Sequence, residues 1–409
     1  MARPFLNRLK GNARGCLAFE PLFLIPYSMF STYATIYMFQ MGVSETAIGW
    51  ITSIGLIVQV FSSFISGYLT DRMGRKAALL YFDILSWSVA TLLWAMSQNV
   101  WFFVIAAIVN GFQRVPHTAF YCLLVEDTPP QERTYVFTIL QFIGVLGGLF
   151  APLGGLLVYH YSLIPGVRIL FIIAFVCMTL QFIGRNYYTH ETEMGIRKMR
   201  ETRGMSVKAG LGEYIHAIRN MLRNPPLLIV FGVYILFNFQ MTMKNTYLSL
   251  YLVDYLRIGN GFVSIFPAVS SVIMLLVMWL LLPRLGESHI HRAMIGGFVV
   301  SLLSNVLLII ALPGELLWLS VSTVLAAVGT ILTLPYLEAV VANAIDDEQR
   351  ANVFAILSVL ILIFIAPSGI IGGWAYQMDP RAPFLFVALA FLVSLLLMLI
   401  YQKRTNQTT

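Results

Sequence analysis

The sequence predicts an all-α integral membrane protein of twelve transmembrane helices, built as two six-helix bundles related by pseudo-two-fold symmetry. Three observations predict it. Of 409 residues, 58% are hydrophobic and 11% are charged, whereas a soluble domain carries roughly a quarter of its residues as charged ones. Twelve apolar stretches each reach the roughly 20 residues that a helix needs to cross a hydrocarbon layer about 30 Å thick. The second half of the chain also repeats landmarks of the first.

The apolar stretches place spans at 17–39, 45–70, 77–97, 100–125, 134–160, 164–184, 226–252, 261–282, 292–312, 315–343, 351–377 and 382–401. Met1 to Gly15 is basic and precedes an apolar run, as in a secretory signal. That run is about 23 residues long and has no small-residue cleavage site, so it is expected to stay as the first span. The polar stretch from Arg185 to Pro225 divides the chain into an N-terminal bundle (1–184), a linker loop (185–225) and a C-terminal bundle (226–409).

Charge sets the expected orientation. With the N-terminus inside, the cytoplasmic segments hold 21 of the 26 Lys and Arg, and the outer loops hold three, Arg168, Arg257 and Arg381. This is the positive-inside pattern, and twelve spans return the C-terminus to the cytoplasm. Short termini and compact loops fit a bacterial inner membrane, and a monomer is expected. The net charge of +7 is thereby a matter of topology, with no nucleic-acid patch. Trp50, Trp101 and Trp318 fall near outer span ends, where amphipathic rings sit. Cys16, Cys122 and Cys177 lie far apart without metal-ligand spacing and are expected to pack, not to react or bind metal.

The repeats carry the two-bundle expectation. Thr32, Tyr33 and Tyr37 recur 214 positions later as Thr246, Tyr247 and Tyr251. Arg72-Met73-Gly74 recurs at 212 as Arg284-Leu285-Gly286. Arg133, Val136, Phe137, Ile139 and Leu140 recur at 217 as Arg350, Val353, Phe354, Ile356 and Leu357. Ala151-Pro152 before Gly154-Gly155 is echoed by Ala366-Pro367 before Gly372-Gly373. Offsets this close, in this order, point to a duplicated six-helix unit.

The stretch Gly67-Tyr-Leu-Thr-Asp71-Arg72-Met-Gly74-Arg75-Lys76, at the inner end of span 2, resembles the signature loop of the major facilitator superfamily. Its weaker copy, Pro283-Arg284-Leu285-Gly286, lacks the Asp. The resemblance covers the whole chain and implies two bundles rocking around a central site that opens to each side in turn. It also implies that Gly67, Asp71, Arg72, Gly74 and Arg75 belong to a cytoplasmic gate, for which Glu126 and Asp127 at the end of span 4 are the acidic partners. A purely topological role for Arg72, Arg75 and Lys76 is the alternative. In span 5, Gly144, Gly147, Gly148, Pro152, Gly154 and Gly155 partly resemble the glycine-proline motif of the family's drug–proton antiporters. Ala151 and the spacing depart from that motif, and close helix packing explains the glycines without a substrate. The arginine conserved in span 4 of several branches lies before the glycine, whereas Arg114 follows Gly111, so its role is not carried over.

Charged groups inside a bilayer cost a few kcal/mol and usually face a wet cavity or a partner. Glu20, Arg114, Lys244 and Glu338 qualify. Asn110, Gln113, Arg114 and His117 share helical spacing and are expected to line one cavity face, with Arg114 binding an anionic or hydroxyl-rich solute; an Arg114–Glu20 pair is the structural alternative. In span 7, Gln240, Lys244, Tyr247 and Tyr251 form one stripe, and Asn238, Thr242, Asn245 and Ser249 form another. The Lys244 stripe is the expected cavity wall. Glu20, His117 and Glu338 are the proton-coupling candidates.

No phosphate loop, zinc motif or nucleophile elbow is present, so neither a pump nor an enzyme is expected, and no cofactor. The function expected is secondary active transport of a small solute by alternating access, coupled to an ion, most simply the proton. A drug or metabolite exporter, a lipid flippase and a non-transporting membrane sensor are the alternatives on the same scaffold.

Overall fold

The computed structural model describes residues 9–202, 225–280, 290–343 and 350–408, and among them every regular element is helical. The helices form twelve rods, several of them broken where the sequence interferes with the hydrogen-bond ladder. Among the described residues, eight runs are long and apolar enough to cross a membrane, nine when the bent first rod is included. Phe61, Trp101, Trp279, Leu317 and Trp374 are among the many large apolar side chains left exposed. Water would not tolerate that surface and lipid does, so the chain is a multi-pass membrane protein.

Rod one is α1 (Gly11–Phe19), α2 (Pro21–Ser31) and α3 (Ala34–Gln40). Pro21 and Pro26 withhold backbone donors, and the chain bends by 41° before α3. Rod two is α4 (Glu45–Met73). Rod three joins α5 (Arg75–Asp83) to α6 (Ala90–Ala95) through a π-helical turn, Ile84–Val89. Rod four joins α7 (Val100–Asn110) to α8 (Arg114–Glu126) through a 3-10 turn, Gly111–Gln113. Rod five is α9 (Pro130–Gly148) and α10 (Ala151–Tyr161), and rod six is α11 (Leu163–Tyr188). A short amphipathic helix, α12 (Glu193–Glu201), follows.

Rods seven to ten are α13 (Pro225–Asp254), α14 (Ile265–Leu280), α15 (Ile290–Ile310) and α16 (Leu316–Asn343). Rod eleven is α17 (Arg350–Ile365) with α18 (Pro367–Met378), and rod twelve is α19 (Ala382–Thr408). Rods five and eleven break at the same place, just before Pro152 and Pro367 respectively. The paired Ala-Pro landmarks of the sequence are therefore paired helix breaks.

The chain forms two compact units, and their boundary differs from the one expected. One comprises Met1–Val43 with Ile54–Ala209, the other Ser44–Ser53 with Gly210–Thr409. The first turns of α4 belong to the second unit because glycines remove the obstacle. A Cβ on Gly369 would lie 2.5 Å from the Gly49 carbonyl oxygen, and one on Gly373 2.6 Å from that of Glu45. Ser53 Oγ fixes the contact by donating to the Ala366 carbonyl at 2.6 Å. The expected linker also begins too early, since α11 continues to Tyr188 and buries Arg185. Of the rest of that linker, 203–224 lie outside the described residues, as do the Arg284-Leu285-Gly286 landmark and its loop.

Within the first unit, the glycines of rod five do what packing predicts. Gly147 and Gly154 sit against the backbone of α2, where a Cβ would approach the Leu24 and Met29 carbonyls at 3.1 and 2.7 Å. Ser28 Oγ locks the same contact by donating to the Gly147 carbonyl at 2.6 Å. At the signature-loop end, Leu9 and, from the first rod, Ala13, Cys16 and Leu17 pack with Ala78, Leu79, Val115, Ala119, Leu123 and Val136 into one core.

The duplication extends to hydrogen bonds. Tyr37 Oη lies 3.4 Å from the Trp94 carbonyl oxygen, and Tyr251 Oη donates to that of Leu308 at 3.2 Å. Both residues of each bond are 214 positions from their counterparts. Arg168 donates to Tyr37 Oη at 3.1 Å, and Arg381, 213 positions on, donates to Tyr255 beside Tyr251. In the first unit this lock lies at the end away from the signature loop.

Candidate functional site

The face expected from span 4 is cut by the 3-10 turn, which advances its residues by about 120° each instead of 100°. Its members therefore turn to different neighbours. Asn110 Nδ2 donates to the Ser86 carbonyl in the π-helical turn at 2.8 Å, and Gln113 Nε2 donates to Asn110 Oδ1 at 2.8 Å. Arg114 Nε donates to Gln59 Oε1 on α4 at 3.2 Å. His117 is exposed and lies against the Tyr121 ring, with centroids 4.7 Å apart. Asn110 and Gln113 thus brace rod four against rod three. Arg114 is half-buried beside Gln59, and His117 is the exposed member of this face.

Glu20 has a different partner from the one its charge suggests. Gln181 Nε2 of α11 donates to Glu20 Oε2 at 3.4 Å. The side chain of Glu338 lies outside the described residues.

On α13, Gln240, Tyr247 and Tyr251 are buried and Lys244 is half-buried. Tyr247 Oη donates to the Gly369 carbonyl at 2.8 Å, and Tyr251 is spent on Leu308. Both tyrosines are fully enclosed, so in this structure they support the second unit from within. Their faces are aromatic and their hydroxyls bond best to orphan carbonyls, which makes them natural anchors where a glycine helix comes close. Gln240 differs, because neither side-chain atom has a partner although the residue is only 1% exposed. On the opposite stripe, Asn245 is exposed.

The signature loop builds a dense ionic knot within the first unit. Gly74 holds φ at +88°, a left-handed turn that ends α4 and starts α5. Arg75, 4% exposed, pairs with Asp71 Oδ1 at 2.5 Å and Glu126 Oε1 at 3.1 Å. Arg72 stays outside the knot, donating to Tyr68 Oη at 2.6 Å. Asp127 is taken by Asn12 Nδ2 at 2.6 Å and His190 Nε2 at 3.1 Å. Gly67 is exposed, with nothing packed over its Cα.

Sequence reasoning missed several members of this knot. Glu191 accepts from the backbone N–H groups of Arg75 and Lys76, both at 3.0 Å, and so caps α5 with a full negative charge. Thr192 donates to Glu126, and its Oγ also caps α12 by accepting from Gly195 N at 2.9 Å. The only sequence signal was a Thr followed by an acidic first turn. Asp83 was missed too, and it pairs with Arg185 inside the rod bundle of the first unit.

Comparison with known proteins places this geometry. A family model described as Major Facilitator Superfamily matches residues 22–292. A multidrug resistance protein MdtG of Salmonella dublin is 31% identical over 182 residues, 42% of this chain and 43% of that protein. Its counterpart from Salmonella arizonae is 32% identical over 166 residues, covering 38% and 40% respectively. The matched segments thus span about two fifths of these relatives. Among solved structures, the nucleoside transporter NupG superposes with a TM-score of 0.70 at 14% identity, covering 96% of this chain and 99% of that one. A POT family transporter in complex with 5-aminolevulinic acid gives 0.71 at 14%, covering 97% and 96%. These two likenesses show the fold alone. With the family model matching most of the chain, and with the signature loop folded as an ionic knot on a duplicated helical scaffold, the chain belongs to the major facilitator superfamily.

Proposed function

We propose that the chain is a secondary active transporter that moves a small organic solute across a bacterial inner membrane by alternating access, coupled to protons, with both termini in the cytoplasm. The observation that carries this reading is the duplicated unit with matched tyrosine locks but unmatched charges. Tyr37 and Tyr251 hold the same carbonyls in the two units, which keeps the scaffold the same. Arg114 and Glu20 have no charged counterpart in the second half, where the chain offers Val328 to Ile331 and the neutral Tyr234. Cations and carboxylates are costly in lipid, so charges added to a scaffold that stands without them have a task.

In this proposal Arg114 and His117 contact the solute, with Gln59 orienting the guanidinium, and Lys244 is the candidate cation within the second unit. The Arg114 cation favours an anionic or hydroxyl-rich solute. The ionic knot of Asp71, Arg75, Glu126 and Glu191 belongs to the cytoplasmic gate, and the surplus of Lys and Arg in the predicted inner loops supports that orientation. Export of drug-like compounds is the second reading, supported by the names of the multidrug resistance relatives.

A thermal-shift screen of the purified protein against anions, sugars, amino acids and cationic drugs tests both. The expected outcome is a class that stabilises wild type and binds Arg114→Ala at least about ten-fold more weakly, the value of one charged hydrogen bond. Equal stabilisation of both proteins removes Arg114 from the site, and a response confined to cationic drugs selects the second reading.

A further inference from the structure

Nearer the signature-loop end, the first unit holds a second group of ionisable side chains, with Asp83, Arg185 and Cys16 buried and Glu20 half-buried. Arg185, on the last turn of α11, pairs with Asp83 at the end of α5, and both side chains are under a tenth exposed. The rings of Phe120 and Phe182 flank the guanidinium at 5.4 and 5.5 Å. One helical turn before Arg185, Gln181 is 0% exposed and donates from Nε2 to Glu20 Oε2 at 3.4 Å. Glu20 sits at the joint between α1 and α2, within electrostatic reach of Arg185 and Asp83, as is Cys16 one turn earlier. Among the described residues Arg185 and Asp83 are the charged groups acting on Glu20: α8 offers Phe120 here, the ionisable residues of α9 (Glu132, Arg133 and Tyr135) are confined to its first two turns, and the π-helical turn has none.

Two features do not fit a permanently ionised Glu20. The group holds two carboxylates against one guanidinium, and that guanidinium is committed to Asp83. Gln181 Oε1 is also buried without any donor, although an orphaned buried acceptor costs about 1–3 kcal/mol. A carboxylate only accepts, so it can serve the Gln181 N–H and never its carbonyl oxygen. A carboxylic acid serves both. The observed contact is Gln181 Nε2 to Glu20 Oε2; a neutral Glu20 would add a second bond, its carboxyl O–H donating to Gln181 Oε1.

The second unit shows that the scaffold does not require this group. The positions corresponding to Glu20 and Arg185 are Tyr234 and Met398, and Asp83 falls on the Gly296-Gly297 pair. We propose that Glu20 is a proton-binding site: its carboxylate takes up one proton from water and is held as the acid by Gln181. On release of that proton the carboxylate turns to Arg185, one turn along α11, which then shares its charge between Glu20 and Asp83. The use of this proton in transport rests on the coupled reading above, and the site itself is testable without any solute.

Infrared difference spectra recorded through a pH titration of the solute-free protein test it, with wild type, Glu20→Gln, Asp83→Asn and Gln181→Leu. The expected result is a protonated-carboxyl band that grows as pH falls, vanishes in E20Q and persists in D83N. In Q181L it shifts to higher frequency, as a carboxyl loses its amide partner, which keeps the test decisive should E20Q fold poorly. A band unchanged in E20Q, or unmoved in Q181L, overturns the proposal. Gradient-driven solute accumulation that persists in E20Q after the band has gone counts against coupling through Glu20 alone, and leaves the proton site established.

Discussion

The two units solve one structural problem twice and a chemical problem once. Each is tied by a tyrosine hydroxyl on a carbonyl 57 residues along, Tyr37 with Trp94 and Tyr251 with Leu308. Where the first unit then buries Asp83 and Arg185, the second places glycine and Met398, itself fully buried. Apolar packing is thus sufficient to fill that layer of the fold. A buried ion pair is often no more stabilising than a hydrophobic replacement of similar volume, so stability does not explain why one unit keeps the costlier version.

The strongest way to break this comparison is to remove half of the pair. Arg185→Leu strands Asp83 as a lone buried charge and is expected to cost about 3–5 kcal/mol, read as a large fall in thermal midpoint. The double variant Asp83→Ala/Arg185→Met copies the chemistry of the second unit and is expected to regain all but about 1 kcal/mol of that loss. A double variant no more stable than R185L alone shows that the first unit needs its charges to fold.

Helix contacts come next. Gly154→Leu forces a side chain into the α2 backbone and is expected to cost about 1–3 kcal/mol. Gly144→Ala, with nothing within 4 Å of its Cβ position, is expected to change stability by less than about 0.5 kcal/mol. Similar effects at both positions contradict the packing account of the rod-five glycines.

The smallest effects compare the locks themselves. Tyr251→Phe loses one hydroxyl–carbonyl bond, worth about 1 kcal/mol. Tyr37→Phe loses the bond and also leaves Arg168 and Ser97 short of a partner, so its cost is expected at about 2 kcal/mol. Unfolding monitored by tryptophan fluorescence in detergent ranks the two.

Most of the scaffold was legible because lipid imposes a long, simple pattern. Apolar runs, basic loops and the Ala-Pro echoes located the rods, and the signature loop located its ionic knot. What stayed hidden depends on breaks in that pattern. Three residues of 3-10 helix redirect Asn110 away from the face it shares with Arg114 by ideal spacing. Arg185 read as the first residue of a polar linker, yet α11 continues one more turn and takes it inside. Glu191 stood among other linker charges, and only the fold shows its carboxylate on the first amides of α5. Ser44–Ser53 reads as an ordinary span entrance, and its place in the second unit rests on glycines more than 300 residues away.

Solute-evoked proton movement tests the central claim most directly. Proteoliposomes loaded with a pH-sensitive dye would be exposed to a solute identified by thermal shift, comparing wild type with E20Q and R114A. The account predicts proton movement with wild type alone, with E20Q still binding the solute and R114A binding it weakly. Wild-type proton movement in both variants contradicts it, because the charges that distinguish the first unit from the second would then have no part in transport.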